Sequence, residues 1–445
     1  MLQKQKLFAA LSFLSGPVLG SIAFWVFSDP GQQWVGFLTL WMILWWMTEC
    51  APLWVPALFP LSFAAVSNVD LVGSLKAFFH PVLLLFIGGF LLAKATEKTK
   101  LHYAVASLLQ AKAKSGSSVL LSFVGLTAFL SMWISNSAAC LLMVPIAKAV
   151  AGNRLDLRKG FLLGVAYASS IGGLASVLGS PPNALFLAHA EKFGLKISFF
   201  QWMFSMLPFC LVGLLLVWIY LGKVGFPSLW RAKLDGGDWQ KSVDFHPTML
   251  MVYGIFFVGL VLLSLQWTSI GENWWIFAVG LSLFLIPEKG KFLLQIQDAK
   301  EISWGVLFIF AGGISLSYGL EKTGITAMIT DLLKLEGVPP FLMLFAVVAI
   351  FILFTEVASN TAVAAIAIPL AFPLASALHL QPLQVAQAIL FASSLSFMLP
   401  IATPPNAIAF SQGGVTAKEM AKIGWVMNLL FSLWITIWVY FFPMK

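Results

Sequence analysis

The chain has 445 residues, 60% hydrophobic and 10% charged, with a mean hydropathy of +0.92 and a formal net charge of +8. Soluble domains carry roughly 25% charged residues, so this composition excludes a soluble enzyme or cytosolic binding module and indicates a polytopic membrane protein. Its positive charge contains no basic run of five or more residues, which argues against nucleic-acid binding and for anchoring of cytoplasmic loops.

Lys4 and Lys6 precede an apolar run over 7–27. The run is too long for a signal-peptide core and lacks a small-x-small cleavage site, so it reads as the first span. Further spans are expected at 34–48, 53–68, 81–96, 160–190 (broken), 199–222, 247–266, 272–286, 302–319, 383–411 (broken) and 420–442, eleven crossings in all. Cys50, Cys140 and Cys210 lie in apolar stretches without paired spacing, implying neither disulfides nor a zinc site. Residues 223–246, with Pro227, Gly236 and Gly237, read as a cytoplasmic linker between two halves.

Two segments behave differently. Residues 115–151 and 337–378 carry a polar triplet at mid-length, Ser135-Asn136-Ser137 in one and Ser359-Asn360-Thr361 in the other. As straight helices of about 40 residues they would reach roughly 60 Å, twice the hydrocarbon thickness. Re-entrant hairpins fit better, with tips that line a cavity inside protein. Each is followed by a second polar break, Gly179-Ser180-Pro181-Pro182-Asn183 or Ala402-Thr403-Pro404-Pro405-Asn406.

The spacing of these features exposes a repeat. Ser135 and Ser359, Pro145 and Pro369, Gly88 and Gly312, and Glu97 and Glu321 are all 224 residues apart. The amphipathic stripe Leu101, Ala104, Val105, Leu108, Leu109 recurs at the same distance as Ile325, Met328, Ile329, Leu332, Leu333, predicting an interfacial helix in each half. Five crossings lie between the copies, so the two halves have inverted topology. With the N-terminus inside, 20 of the 26 Lys and Arg fall on the inner side, which puts the N-terminus in the cytoplasm and the C-terminus outside.

The four breaks offer hydroxyls, amides, unwound carbonyls and helix N-termini without net charge. Paired broken elements in two halves are the sequence sign of a transporter's binding site. The carbonyls suit two cations and the N-termini an anion. No Lys or Arg lies within 131–137, 179–183, 355–361 or 402–406. A helix end contributes about 0.3–1 kcal/mol, whereas a charge at the bilayer centre costs at least about 2.5 kcal/mol. Cations travelling with the anion are the simplest compensation.

Four stretches, Trp46-Met47-Thr48-Glu49 with Pro52, Ser169–Asn183, Thr355–Thr361 and Leu399–Asn406, give the chain its resemblance to the divalent anion/sodium symporter family, and most closely to bacterial sodium/dicarboxylate symporters. The resemblance implies an all-α polytopic membrane protein of about 11 transmembrane helices plus two re-entrant hairpins in two inverted repeats, working as a homodimeric elevator in the bacterial inner membrane. Scaffold helices would occupy 1–114 and 247–336, and the transport domain 115–222 and 337–445, with 223–246 as the linker. By similarity a first sodium ion would meet Ser131, Ser135, Asn136 and Gly179, and a second Thr355, Ala358, Asn360 and Ala402. A C4-dicarboxylate such as succinate, malate or fumarate would meet Ser135, Asn136, Ser137, Ser180, Ser359, Asn360, Thr361, Thr403 and Pro404. The family's first triplet ends in Thr where this chain has Ser137. Citrate or sulfate carriage and dicarboxylate exchange are the alternatives within the family.

Glu356, next to the second tip, reads as a brace for that tip, and Glu49 as a cap between two spans. His80, His189 and His379 lie at span ends and read as interfacial residues. No nucleophile–base pair or metal cluster accompanies the breaks, so an intramembrane enzyme is disfavoured.

Overall fold

The computed structural model describes residues 2–67, 69–99, 115–192, 195–233, 247–265, 271–288, 290–332 and 337–444. The stripe at 101–109 and residues 234–246 of the linker lie outside the described residues. The remainder is almost wholly helical, apart from a two-stranded turn that pairs Pro287–Glu288 with Lys291–Phe292.

Polar caps and prolines set many of the helix starts. Asp29 accepts the Gln32 N–H at 2.9 Å ahead of Pro30–Thr48, and Ser198 with Gln201 forms a capping box at the start of Phe199–Ile219. Among the described residues, five helices are long and apolar enough to cross a membrane: Leu71–Lys98, Phe199–Gly225, Pro247–Ser264, Trp304–Lys322 and Ala417–Phe441. The first of these spans has a bend at 79–81, between Leu71–Phe78 and Val82–Lys98.

The stretch 53–68 is not one α-helix. Pro52, Pro56 and Pro60 withhold backbone N–H groups, and the chain forms a 3-10 helix over Pro56–Ser62 followed by one turn at Phe63–Val66. The helix Leu71–Phe78, capped by Asp70, was not anticipated from the sequence.

Both triplets sit where one helix stops and another starts. Gly116–Ser131 is followed by Asn136–Ala151, and Pro340–Thr355 by Asn360–Ala367. Each 16-residue arm rises about 24 Å, short of a bilayer core of about 30 Å. The second arms differ between the halves. Pro145 is absorbed inside one helix, whereas the chain turns at Pro369 before Ala371–Leu378. The second breaks separate Leu155–Gly172 from Pro181–Lys192 and Pro382–Ser394 from Pro404–Ser411.

These pieces pack into one core that mixes the two halves. Every residue from 160 to 172 is buried. The Tyr167 hydroxyl donates to the Phe397 carbonyl at 2.9 Å, and the Phe209 and Phe391 rings stack with centroids 4.1 Å apart. Residues 223–233 of the segment read as a linker fold back on the helix Gly116–Ser131. There Gly116 N–H donates to Ala232 O at 2.8 Å and Leu229 is fully buried.

Candidate functional site

The two triplets and the two Pro-Pro-Asn breaks open into one cavity of about 650 Å³. Ser135, Asn136, Ser137, Ser180, Ser359, Asn360, Thr361, Thr403 and Pro404 all line it, as do Gly179 and Ala402. Ser131, Thr355 and Ala358 lie behind this surface, buried.

Each tip is tied to its neighbouring broken helix in the same way. Ser131 Oγ, the last side chain of its helix, lies 2.7 Å from both Asn136 Oδ1 and the Ser169 carbonyl oxygen, its single proton serving one of the two. In the other half Thr355 Oγ1 lies 2.8 Å from Asn360 Oδ1 and 3.1 Å from the Ser393 carbonyl. All three residues of each set are related by the 224-residue spacing found in the sequence. The Asn136 amide head sits 2.7 Å from Ser131 Oγ, 3.1 Å from Gly179 O and 3.2 Å from Ser169 O. With its nitrogen inward, its two N–H groups are shared among these three oxygens. With its oxygen inward, the Ser131 hydroxyl donates to it, and Asn136 Oδ1, Gly179 O and Ser169 O stand together as an oxygen set of the kind that coordinates a hard cation. The donor set therefore fits a sodium-like ion.

Close backbone approach makes this possible. A Cβ on Gly179 would stand 2.6 Å from Ser131 O and 2.7 Å from Gly173 O, and one on Gly173 would collide with the Asn136 side chain. The breaks are held open by the asparagines that follow the prolines. Asn183 Nδ2 donates to Gly173 O and Ser176 O, at 2.9 and 2.8 Å, and Asn406 Nδ2 to Ser396 O and Leu399 O, at 3.2 and 3.1 Å. The hydroxyls of Ser135 and Thr403 accept the Ala138 and Asn406 N–H groups, capping the helices that follow.

Glu356 braces the second break from beneath. Its carboxylate is 3% exposed and accepts from Phe397 N, Met398 N, Leu399 N and Asn428 Nδ2 at 2.7–2.9 Å. The 224-residue spacing puts Met132 in the corresponding place of the first half. There the Ser176 hydroxyl donates to Met132 O at 2.5 Å, Trp202 Nε1 to Leu174 O at 3.0 Å and Cys210 Sγ to Ile171 O at 3.3 Å. Glu49 caps Pro30–Thr48 in the left-handed conformation, φ 48°, and also lines the cavity. No group of three or more His, Cys, Asp or Glu able to hold a metal occurs among the described residues.

Sequence reasoning missed two contributions. The carbonyls of Ser169 and Ser393 join the cradles, and the repeated Ser-Ser pairs at 169–170 and 393–394 were the available signal. The wall facing the tips is charged: Glu49, Lys94, Glu97 and Glu301 line the same cavity. A lysine within the apolar run Val82–Ala95 was the clue.

The citrate-transporter family model matches residues 43–389. The sodium-dependent dicarboxylate transporter SdcS of Staphylococcus saprophyticus is 33% identical, covering 97% of this chain and 91% of that protein. SdcS of Staphylococcus aureus strain USA300 is 32% identical, covering 99% and 92% respectively. Among solved structures, the Alcanivorax borkumensis YdaH transporter, described as having an unusual topology, matches with a TM-score of 0.57 at 15% identity over 84% of this chain and 88% of that one. At that identity the likeness speaks for fold alone.

Proposed function

This chain belongs to the citrate-transporter family of membrane carriers, and from that premise we propose that it is a sodium-coupled symporter of C4-dicarboxylates. One observation carries the reading: the two matched oxygen cradles, each pairing an asparagine amide with a hydroxyl and a helix-end carbonyl, beside one shared cavity. Sodium in each cradle supplies positive charge where the breaks have none, and the dianion sits between the tips against Ser135–Ser137 and Ser359–Thr361. Ser180, Thr403 and Pro404 complete the anion's surroundings. The names of the SdcS relatives support both sodium and a dicarboxylate.

In this reading the hairpins 115–151 and 337–378 re-enter the membrane, and 115–222 with 337–445 move as one body against 1–114 and 247–336, in a homodimer of the bacterial inner membrane. Arms of about 24 Å support the hairpins. Lys94 and Glu301 stand at the cavity's exposed rim, on the face that the charge bias assigns to the cytoplasm, so this conformation is inward-open, with the N-terminus inside and the C-terminus outside.

Uptake of labelled succinate into proteoliposomes tests the proposal, with sodium, then potassium, then succinate inside. Sodium-dependent accumulation is the expected result, lost in Asn136→Ala and Asn360→Ala while both remain folded. Equal uptake in potassium, or wild-type uptake in both variants, would refute it. The family description favours a second reading, citrate carriage, and unlabelled citrate and sulfate as competitors decide it.

A further inference from the structure

Lys94 is the one Lys or Arg among the described residues lining the cavity. It projects from Val82–Lys98 and meets Glu301 Oε2 at 2.6 Å. One turn further on, Lys98 meets Asp298 at the same distance. The two pairs join the same elements but are built differently. Asp298 is 14% exposed and also accepts the Gln295 N–H at 2.7 Å, which fixes it in place. The Glu301 side chain is 62% exposed, and no other hydrogen bond holds its carboxylate among the described residues. Lys98 and Asp298 do not line the cavity, whereas Lys94 and Glu301 do. The fixed pair suffices to tie the elements together, leaving the loose pair free to exchange partners.

Resting on the symport reading, we propose that Lys94 is an entry subsite for a carboxylate at the cavity mouth, with Glu301 as its displaceable counterion. An ammonium presents three donors and no acceptor. An incoming carboxylate takes the place of the Glu301 carboxylate, and the return of Glu301 releases the anion to the tips or to solution. Glu97, on the same helix, and Asp298 also face Lys94. They keep the ammonium from holding the anion tightly, as a transient subsite requires. Glu49, Glu97 and Glu301 line the same cavity, so among the described residues the Lys94 ammonium is the one side chain there that locally favours an anion.

The test compares Lys94→Gln, Lys94→Arg and Glu301→Gln, with succinate, citrate and sulfate as solutes. Whole cells report the outer face and inside-out vesicles the inner face. In inside-out vesicles, Lys94→Gln should raise KM about fivefold at unchanged maximal rate, the scale of one partly exposed charge pair. It should also flatten the dependence of KM on ionic strength. Lys94→Arg should stay within about twofold of wild type, and Glu301→Gln should lower KM, because the competing carboxylate is gone. Whole-cell KM should not change. A purely structural pair gives losses of the same sign in Lys94→Gln and Glu301→Gln, and that result overturns the proposal, as does an unchanged inner-face KM in Lys94→Gln. Failure of wild-type protein to carry any of the three anions overturns the symport reading and the subsite with it.

Discussion

Replacing Glu356 with alanine should prevent the second break from forming. The side chain accepts Phe397 N at 2.8 Å, Met398 N at 2.9 Å, Leu399 N at 2.8 Å and Asn428 Nδ2 at 2.7 Å. Phe397 N keeps a second acceptor in Asn428 Oδ1 at 3.1 Å. Alanine therefore strands three donors, Met398 N, Leu399 N and Asn428 Nδ2, around a carboxylate position that is 3% exposed, the first two on half-buried residues. Each stranded group costs about 1–3 kcal/mol, so the total is about 3–9 kcal/mol against a typical whole-protein stability of about 5–15 kcal/mol. Glu356→Gln keeps one oxygen and loses chiefly the Leu399 bond, at about 1–3 kcal/mol. The alanine variant should fail to accumulate as a monodisperse species in detergent. The glutamine variant should fold, melt earlier and need more sodium for half-maximal uptake, because Leu399 O also holds Asn406 in place. Size-exclusion chromatography, thermal unfolding and a sodium titration read these outcomes. Glutamine within about 1 °C of wild type, together with a folded alanine variant of unchanged sodium dependence, would refute the reasoning.

Asn183→Ala and Asn406→Ala each remove two hydrogen bonds to break carbonyls, and each should lower stability by about 1–3 kcal/mol in thermal unfolding. Near-equal losses would reflect the matched geometry of the two halves. Gly179→Ala should raise the sodium requirement at least severalfold, since its Cβ meets Ser131 O at 2.6 Å, while Gly125→Ala, with nothing within 4 Å, should not. At Asp298 partial burial pushes the carboxyl up, but Lys98 and the Gln295 N–H outweigh it and hold it below the ordinary range. A carboxylate with a depressed pKa stabilises the fold above about pH 4, its unfolded value, and loses that contribution as pH falls through its folded value. Melting temperature should therefore drop below about pH 4 less steeply in Asp298→Asn than in wild type.

The elements nearest the site were legible because their signals are local. A polar triplet inside an apolar run, a Pro-Pro-Asn after it and a 224-residue echo suffice to place Ser135–Ser137 and Ser359–Thr361 beside 179–183 and 402–406. What sequence could not supply was proximity across the chain. The Ser169 and Ser393 carbonyls are backbone atoms, invisible to side-chain reasoning. Lys94 and Glu301 are 207 residues apart and meet only through packing. The 53–68 stretch was read as one continuous helix because hydropathy does not register the N–H groups withheld by Pro52, Pro56 and Pro60. Glu356 was readable as a brace because it adjoins the tip, but its four partners were not, since they lie on 397–399 and 428.

The stitches between the halves bear on how the chain is made. Tyr167 to Phe397 spans 230 residues, Lys159 to Glu419 spans 260, and Cys140 to Pro405 spans 265. At about 5–20 residues per second, a ribosome needs roughly 10–50 s to emit such a length. If the first tip re-enters the membrane as proposed, the second triplet that shares its cavity is still unsynthesised for that interval, and a polar turn open on one side is poorly tolerated by lipid. Biogenesis must therefore shelter an unfinished half-pocket until the last helices arrive to close it.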